Sequence, residues 1–236
     1  NQYQKGKASE IDLYNYKRAR GKYIAYCEGD DYWTDPLKLQ KQVDFMEANP
    51  DYSVCFHDFK KHDIRKDVWF CPAYGDNKLY DVNGIDIYAE LFFRYPNFGQ
   101  PLTMLFRLDK YNFSWCKQYK FFRDTHEIYH LLCNGKGRFM NFVGGVYHLH
   151  DGGVSTSLNI TKTALIVRET YKELFRNNSH DYVIKKFLYE TLLWNHEVYN
   201  FKEFIFIWLE FLLVSPIITL RVLFTILKRK LKKLFK

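Results

Sequence analysis

The stretch KYIAYCEGDDYWTDPLKLQKQVDFMEANPDYSVCFHDF, residues 22–59, decides the fold. KYIAYC predicts a short buried strand, and DPLKLQKQVDFMEAN predicts a helix with Asp35 as its N-cap and Pro36 at its first position. SVCFHDF predicts the next strand. A strand, a helix and a strand within about 35 residues form the βαβ pattern of an α/β domain with parallel strands.

Three acids, Glu28, Asp30 and Asp31, directly follow the first predicted strand. Open α/β sheets bind ligands at the carboxyl ends of their strands, and like charges this close are costly unless they share a cation. Oxygen ligands with open positions suit Mg²⁺ or Mn²⁺, which bind through one or two carboxylates and substrate phosphates. A solvated acidic turn is the alternative that the spacing leaves open. An EF-hand loop is excluded, because EGDDYWTDPLKL lacks oxygen ligands at alternating positions.

Helices and strands are also predicted for the rest of the chain up to residue 200. A helix over RDTHEIYHLLCNGKG opens at Asp124, and Glu127 follows three residues later in a capping-box arrangement. The other predicted elements are a helix over GIDIYAELFF (84–93), a strand over PLTMLFR (101–107), a strand over RFMNFVGGVYHLH (138–150) and helices over residues 160–200.

The composition is that of a folded globular protein. The 236 residues are 47% hydrophobic and 19% aromatic, which is typical of a chain with a substantial core. Six positive charges lie in the last nine residues, KRKLKKLFK, and subtracting them from the net charge of +8 leaves +2 for the first 227 residues. No nucleic-acid-binding module precedes this tail, so nucleic acid is not an expected partner.

Five cysteines are spaced widely and never as C-x-x-C, which argues against a disulfide framework and a zinc site. This usage fits a reducing, cytoplasmic environment. The polar opening NQYQKGKASE predicts no signal peptide.

Residues 21–57 resemble the heart of the family 2 glycosyltransferases of bacterial polysaccharide and lipopolysaccharide synthesis, whose members carry a D-x-D-D-x-W motif. The resemblance continues in the family's order through TMLFR, FRDTHEIYHLLCNGKGRF and GGVYHLHDGGVS. It implies a GT-A fold, which is a Rossmann-like mixed sheet flanked by helices, and a nucleotide-sugar donor. The predicted organisation is a GT-A domain at 1–160, a helical extension at 161–203 and a membrane-associating tail at 204–236.

The resemblance also implies roles for the acids and for one histidine. Glu28 and Asp30 occupy the acidic places of the D-x-D motif, with Asp30 as the principal ligand of Mg²⁺ or Mn²⁺. Glu28 replaces the usual Asp, and we expect it to bind the metal through water or to contact ribose. Asp31 supports the metal or its waters, and His150 matches the family histidine near the metal and the diphosphate. A structural role is the alternative for His150, as for most histidines at strand ends.

Two further residues are expected at the substrate site. Trp33 ends the D-x-D-D-x-W motif and is expected to pack beneath the acidic loop. His148 stands where the family's Y-R-x-H pattern has arginine. A neutral imidazole has no guanidinium fork, so we expect a weaker phosphate contact from His148.

Asp124 matches the catalytic base of the family. In that role it would take the proton of an acceptor hydroxyl in an inverting single displacement, while the metal neutralises charge on the departing nucleoside diphosphate. Helix capping together with Glu127 is the alternative, and the two roles are compatible. Helix-end amides are expected to lower the pKa of Asp124.

The chain starts after the V-S-I-I-x-P-x-Y-N strand that opens family members, so we expect a fragment truncated at its N terminus. This departure, together with Glu28 and His148, also allows a catalytically inert GT-A-like module that binds a glycan or a partner at the membrane. A nucleotidyltransferase of similar fold is disfavoured, because no glycine-rich loop lies near the start of the sequence.

The tail predicts a basic amphipathic helix. Its longest uncharged stretch, Phe211 to Leu220, contains Pro216 and is too short to span a membrane. From residue 220 on, apolar residues recur at spacings of three and four opposite a basic face. Such helices lie on anionic membranes, which suits an enzyme that glycosylates a lipid-linked acceptor at the inner face of the plasma membrane. Packing on the domain or on another subunit is the alternative.

Overall fold

The computed structural model describes residues 15–70, 84–94, 99–120, 122–153 and 156–234. The chain divides into two compact units, Asn1–Ser157 and Leu158–Lys236. In its described residues the first unit combines a sheet with helices, and the second unit is helical.

Residues 15–18 are helical, and a further seven strands and four α-helices of the first unit have both ends within the described residues. In chain order they are β1 (Tyr23–Ala25), β2 (Tyr32–Trp33), α1 (Lys38–Ala48), β3 (Tyr52–Asp63), β4 (Val68–Phe70), β5 (Ile85–Ile87), α2 (Ala89–Arg94), β6 (Leu105–Arg107), α3 (Ser114–Gln118), α4 (Asp124–Cys133) and β7 (Lys136–Leu149).

The strands form one mixed sheet in the order β1-β6-β3-β7-β2, with β4 beside β3 and β5 beside β7. β3 and β7 run parallel, from Tyr52 beside Lys136 to Asp63 beside Leu149. β6 is antiparallel to both β1 and β3. The predicted βαβ pattern is therefore correct in strand direction, but β6 lies between its two strands. The α/β class is confirmed.

The centre of the sheet is covered on both faces. Every residue of β3 from Ser53 to Phe59 is buried, as is typical of a strand with neighbours on both sides. Met46 of α1 packs against Cys55 of β3 and Leu105 of β6. This core holds β3 and β7 firmly in place, and β7 carries the predicted histidines at its end.

The first predicted helix starts later than the sequence suggests. α1 begins at Lys38, and its N-cap is Leu37 rather than Asp35. Asp35 Oδ1 accepts a hydrogen bond from the Leu37 N–H at 2.8 Å. Asp35 and Pro36 therefore form a turn that leads into the helix.

The predicted capping box of α4 is wrong. The helix begins at Asp124, but its N-cap is Arg123, whose backbone is extended. The Arg123 N–H donates to His126 Nδ1 at 3.2 Å, so a histidine makes the contact that was expected of Glu127. Glu127 is buried instead, where Oε1 accepts a hydrogen bond from the Tyr26 hydroxyl at 2.9 Å.

Two predicted elements divide in the structure. Residues 84–93 form the short strand β5 followed by α2 rather than one helix. β5 pairs with β7, and Gly84 before it has a φ of 89°. A Cβ at Gly84 would lie 2.0 Å from the Phe139 carbonyl oxygen, so this approach requires glycine. The strand predicted over 101–107 shortens to β6, because Pro101 begins a 3₁₀ turn.

Four helices form the described part of the second unit: α5 (Ile160–Asn177), α6 (Tyr182–Val198), α7 (Phe201–Val214) and α8 (Pro216–Leu234). The prediction of helices over residues 160–200 is confirmed. Side chains of Asn159, Asp181 and Asn200 accept hydrogen bonds from backbone N–H groups at three of the helix starts. These N-caps explain why the helices begin there. Within the described ranges, no helix combines the length and apolar character needed to cross a bilayer.

α8 has two apolar stripes. The buried stripe consists of Ile218, Val222 and Ile226. The exposed stripe consists of Leu220, Phe224, Leu227 and Leu231. With 3.6 residues per turn, these stripes lie on opposite sides of the helix. α8 therefore packs within its unit through one stripe, and most of the apolar face that the sequence predicts stays exposed.

Candidate functional site

The acidic turn lies beside the end of β7 because β2 pairs with that strand. Trp33 of β2 is opposite Gly145 of β7. A Cβ at Gly145 would lie 3.1 Å from the Tyr32 carbonyl oxygen, so glycine permits this close pairing. The Asp31 N–H closes the turn by donating to the Glu28 carbonyl oxygen at 3.1 Å. The acids thus lie next to the histidines at the end of β7.

Asp30 is held by two histidines. His150 Nε2 donates to Asp30 Oδ2 at 2.9 Å, and His148 Nδ1 donates to the Asp30 carbonyl oxygen at 2.6 Å. The hydrogen bond from His150 lowers the pKa of the Asp30 carboxyl. The Asp30 side chain is 52% exposed, so an ionised carboxylate faces solvent here.

Asp31 has the opposite environment. It is buried, and its Oδ1 accepts a hydrogen bond from the His148 N–H at 2.9 Å. Its Oδ2 has no hydrogen-bond partner in the part of the chain that the structure describes. Burial raises the pKa of Asp31 to about 6, and the charge of Asp30 adds to the rise. A buried carboxylate oxygen without a partner is costly, and a nearby cation would reduce that cost.

The segment after β7 holds His150 in place. The Gly153 N–H donates to the His150 carbonyl oxygen at 3.0 Å, and the Thr156 hydroxyl donates to the same oxygen. A Cβ at Gly152 would lie 3.3 Å from His150 Nδ1. The small residues of this segment therefore let the backbone pass close to the imidazole that contacts Asp30.

Glu28 and Trp33 make other contacts. Glu28 is exposed and takes part in the turn through its carbonyl oxygen. The Trp33 indole donates from Nε1 to the Leu102 carbonyl oxygen at 3.1 Å, and the Lys38 ammonium lies 4.0 Å from its ring centroid. These contacts give Trp33 a packing role, and its contact with substrate stays a prediction.

Asp124 is separate from this group of contacts. Its Oδ1 accepts a hydrogen bond from the Thr125 N–H at 2.8 Å, and no hydrogen bond or ion pair joins it to Asp30, His148 or His150 within the described ranges. Desolvation by nearby protein atoms raises the pKa of Asp124, so the expectation of a lowered pKa is wrong. Asp124 is nevertheless exposed, so protein atoms pack near the carboxylate but solvent still reaches it.

Sequence reasoning missed an aromatic row beside the acids. Trp69 stacks on His62 with ring centroids 4.0 Å apart. The His148 ring lies 5.5 Å from His62 and 5.3 Å from Tyr32. The row depends on the pairing of four strands, β4, β3, β7 and β2, and spacing along the chain gives no signal for that.

The donor atoms at this corner are carboxylate oxygens and an imidazole nitrogen, which are kinds that divalent cations bind. No group of three or more His, Cys, Asp or Glu side chains suited to a metal occurs among the residues described by the structure. Asp30 and His150 do meet, and Asp31 Oδ2 beside them lacks a partner. Mg²⁺ and Mn²⁺ commonly bind through one or two carboxylates, substrate phosphates and water.

Comparison with known proteins points to a class. No family model matches the chain. The chain is 28% identical over 158 residues to UDP-Glc:alpha-D-GlcNAc-diphosphoundecaprenol beta-1,3-glucosyltransferase WfaP of Escherichia coli, over 66% of this chain and 57% of that protein. This distant similarity is to a glucosyltransferase and covers only part of that protein.

A shorter and stronger similarity connects the chain to mycobacterial proteins. It is 55% identical over 56 residues to uncharacterised proteins of Mycobacterium tuberculosis and Mycobacterium bovis, over 23% of this chain and 16% of each relative. The chain therefore spans less than two thirds of the length of the relatives that it matches.

Proposed function

We propose that this protein transfers a sugar from a nucleoside-diphosphate donor to a hydroxyl acceptor in the synthesis of a bacterial cell-surface polysaccharide, as a family 2 glycosyltransferase of the GT-A fold. The contact between Asp30 and His150 at the edge of a mixed sheet carries this proposal. The similarity over 158 residues to a glucosyltransferase supports it. That relative's name makes UDP-glucose the first donor to test and a sugar diphospholipid the first acceptor.

The donor diphosphate would lie at Asp30. Asp30 and His150 would hold Mg²⁺ or Mn²⁺, with Asp31 and Glu28 supporting it or its waters. When bound, the cation would neutralise charge on the departing nucleoside diphosphate. His148 already donates its Nδ1 hydrogen to the Asp30 backbone, so its contribution would be to orient the acidic turn.

Asp124 would act as the general base. Its exposure lets an acceptor hydroxyl reach it. Attack by that hydroxyl on the anomeric carbon would expel the nucleoside diphosphate with inversion. The proton would pass to Asp124, and no covalent enzyme intermediate is required.

Contact with an anionic membrane would bring the protein to a lipid-linked acceptor at the cytoplasmic face. The exposed stripe of α8 supports this part of the proposal, because its apolar side chains are flanked by lysines and arginines. α7 also exposes large apolar side chains, among them Phe206 and Leu213.

A binding module without catalysis is the second candidate. It is favoured by the lack of a three-residue metal cluster among the described residues and by the exposed position of Glu28. Such a module would bind a nucleotide sugar or glycan without turnover.

The deciding experiment measures transfer from UDP-sugars and UDP binding, with Mn²⁺, using the full-length protein. We expect Asp30→Asn to weaken donor binding and to lower turnover by at least about 100-fold. Asp124→Asn should lower turnover by a similar factor with UDP affinity unchanged.

The matched control is Asp109→Asn, which removes an exposed carboxylate elsewhere in the first unit and should leave both quantities unchanged. UDP-sugar binding without any turnover would favour the binding module. Full activity of Asp30→Asn would overturn the proposed site.

A further inference from the structure

The hairpin of β3 and β4 presents an aromatic surface next to the acidic turn. In this hairpin His62 is paired with Trp69 across the two strands. Their rings are nearly parallel, with 9° between the planes and 4.0 Å between centroids. Trp69 remains 47% exposed, so the imidazole covers one face of the indole and solvent reaches the other.

The hairpin turn fixes this stack in advance. His62 Nε2 is 2.9 Å from Asp67 Oδ1, which limits rotation of the imidazole. Asp67 has a φ of 51°, a left-handed conformation that aspartate tolerates better than most residues. Arg65 makes hydrogen bonds of 2.8 and 2.7 Å to the two carboxylate oxygens of Asp63 in the same turn. A ligand on Trp69 would therefore meet an ordered surface and lose little affinity to side-chain ordering.

The aromatic surface continues to the site of the acids. The His148 ring lies between His62 and Tyr32, at 5.5 and 5.3 Å from them. His148 in turn contacts the Asp30 backbone. The row of Trp69, His62, His148 and Tyr32, which we call the aromatic row, thus runs from the hairpin to the acidic turn.

The chemistry of the aromatic row suits a pyranose ring. One face of many pyranoses presents C–H groups, and the electron-rich face of an indole attracts such groups. Asp67 lies beside the stack, with its Oδ1 2.9 Å from His62 Nε2, and its exposed carboxylate offers hydrogen bonds to sugar hydroxyls. Ile64, Val68 and Phe70 of the same hairpin are also exposed, so contact with a partner protein is the alternative that the test has to distinguish.

We propose that the aromatic row binds pyranose rings of the acceptor glycan, with Trp69 as its main contact. This inference rests on the proposed function, which places the donor diphosphate at Asp30. Trp69 is separated from Asp30 by two rings of the row, so it lies beyond the diphosphate position and can select acceptors of more than one sugar. Tyr32 and His148 would contact the sugar nearest the reaction.

The test follows the indole N–H signals of the five tryptophans by NMR. One titration uses UDP-glucose with diamagnetic Mg²⁺, and a second uses neutral trisaccharides of glucose, galactose, mannose and N-acetylglucosamine without nucleotide. We expect at least one trisaccharide to shift the Trp69 signal, and Trp69→Ala to weaken its binding by about tenfold. UDP-glucose affinity should not change, and Trp69→Phe should restore part of the trisaccharide binding.

Phe70→Ala is the matched control. Phe70 is 51% exposed on the same strand, but adjacent strand residues point to opposite faces of a sheet. Trisaccharide binding that falls equally in Trp69→Ala and Phe70→Ala would overturn the proposal. So would a Trp69 signal that no trisaccharide shifts although UDP-glucose binds. If the protein also associates through this hairpin in that second case, the surface is a contact for a protein partner. If the wild-type protein binds a trisaccharide at Trp69 but does not bind UDP-glucose, the result counts against the proposed donor site alone.

Discussion

The strongest departures from the usual distribution of polar and apolar residues differ between the two units. The first unit buries polar side chains, with Lys38 and His57 at 1% and 0% exposure. The second unit exposes large apolar side chains, with Leu213 and Phe224 at 89% and 70% exposure. Buried polar groups lower stability, and exposed apolar patches mark contact surfaces. The most buried ionisable side chains therefore lie in the first unit, whereas the most exposed large apolar side chains lie in the second and are available for binding.

The largest effect on stability is expected at His57. Burial lowers the pKa of His57 to about 3, and its Nε2 has no hydrogen-bond partner among the described residues. As the pH falls from about 6.5 towards 3, the unfolded chain binds a proton that the folded protein cannot accept. The free energy of unfolding should therefore fall by up to about 1.4 kcal/mol per pH unit from this residue. Urea unfolding between pH 7 and pH 4 measures it.

His57→Asn should flatten that pH dependence, because asparagine does not titrate between pH 7 and pH 4. Its side-chain amide can still donate to the Asp58 carbonyl oxygen, which His57 Nδ1 contacts at 2.7 Å. His180→Asn is the control, since His180 is exposed. Parallel pH profiles for wild type and His57→Asn would show that the buried imidazole does not cause the acid sensitivity.

The next effect concerns the exposed stripe of α8. Replacing Leu220 and Phe224 with serine removes two apolar side chains from this stripe, each worth about 1.5–3 kcal/mol when fully buried. We expect binding to vesicles that contain phosphatidylglycerol to fall by at least about 100-fold in co-sedimentation. Vesicles of phosphatidylcholine alone should bind both proteins weakly, because the lysines of the tail need anionic lipid.

The control for the α8 variant replaces Ile160 and Tyr182 with serine. These residues are 65% and 72% exposed on other helices of the same unit. This variant should bind vesicles like the wild type. If the α8 variant also binds unchanged, and light scattering shows that the wild type is a dimer and the variant a monomer, the stripe is a subunit contact instead.

The smallest effect is expected at Lys38. Burial lowers the pKa of Lys38 to about 8, and its Nζ has no hydrogen-bond partner in the described ranges. Between about pH 8 and 10.5 the unfolded chain holds a proton that the folded protein has released, so wild-type stability should rise with pH in that window. Lys38→Met should stabilise the protein by about 1–2 kcal/mol at pH 7, and its advantage should shrink above pH 8.

Exposed Lys66→Met is the control for Lys38→Met and should change stability little. A loss of stability in Lys38→Met at pH 7 would mean that the contact of the ammonium with the Trp33 ring, at 4.0 Å, outweighs the cost of burial.

Much of the fold could be predicted from local patterns. The apolar runs of β3 and β7 and the periodicity of α1 are strong signals, because both come from residues that face a core. Residues 84–93 were harder, since Ile85–Ile87 pairs with β7 although the stretch has a helical pattern. Tertiary pairing overrode local propensity there, and the same is true of the start of α4.

The candidate site could be predicted only through resemblance to a family. Nothing in the spacing of Asp30 and His150 indicates that they meet, because 120 residues separate them. Their contact depends on the pairing of β2 with β7. The aromatic row was beyond reach for the same reason, since Trp69 and His62 are brought together by hairpin register.

The long strand β7 limits how this chain can vary in length. It extends from Lys136 to Leu149, its register against β3 shifts between Met140 and Gly145, and His150 follows immediately. After Gly145 the pairing is regular, so deleting one residue there would turn every later side chain to the other face of the sheet. The predicted histidines beyond the deletion would then point away from the acids. We therefore expect insertions and deletions in homologous genes to cluster before residue 136 or after residue 150.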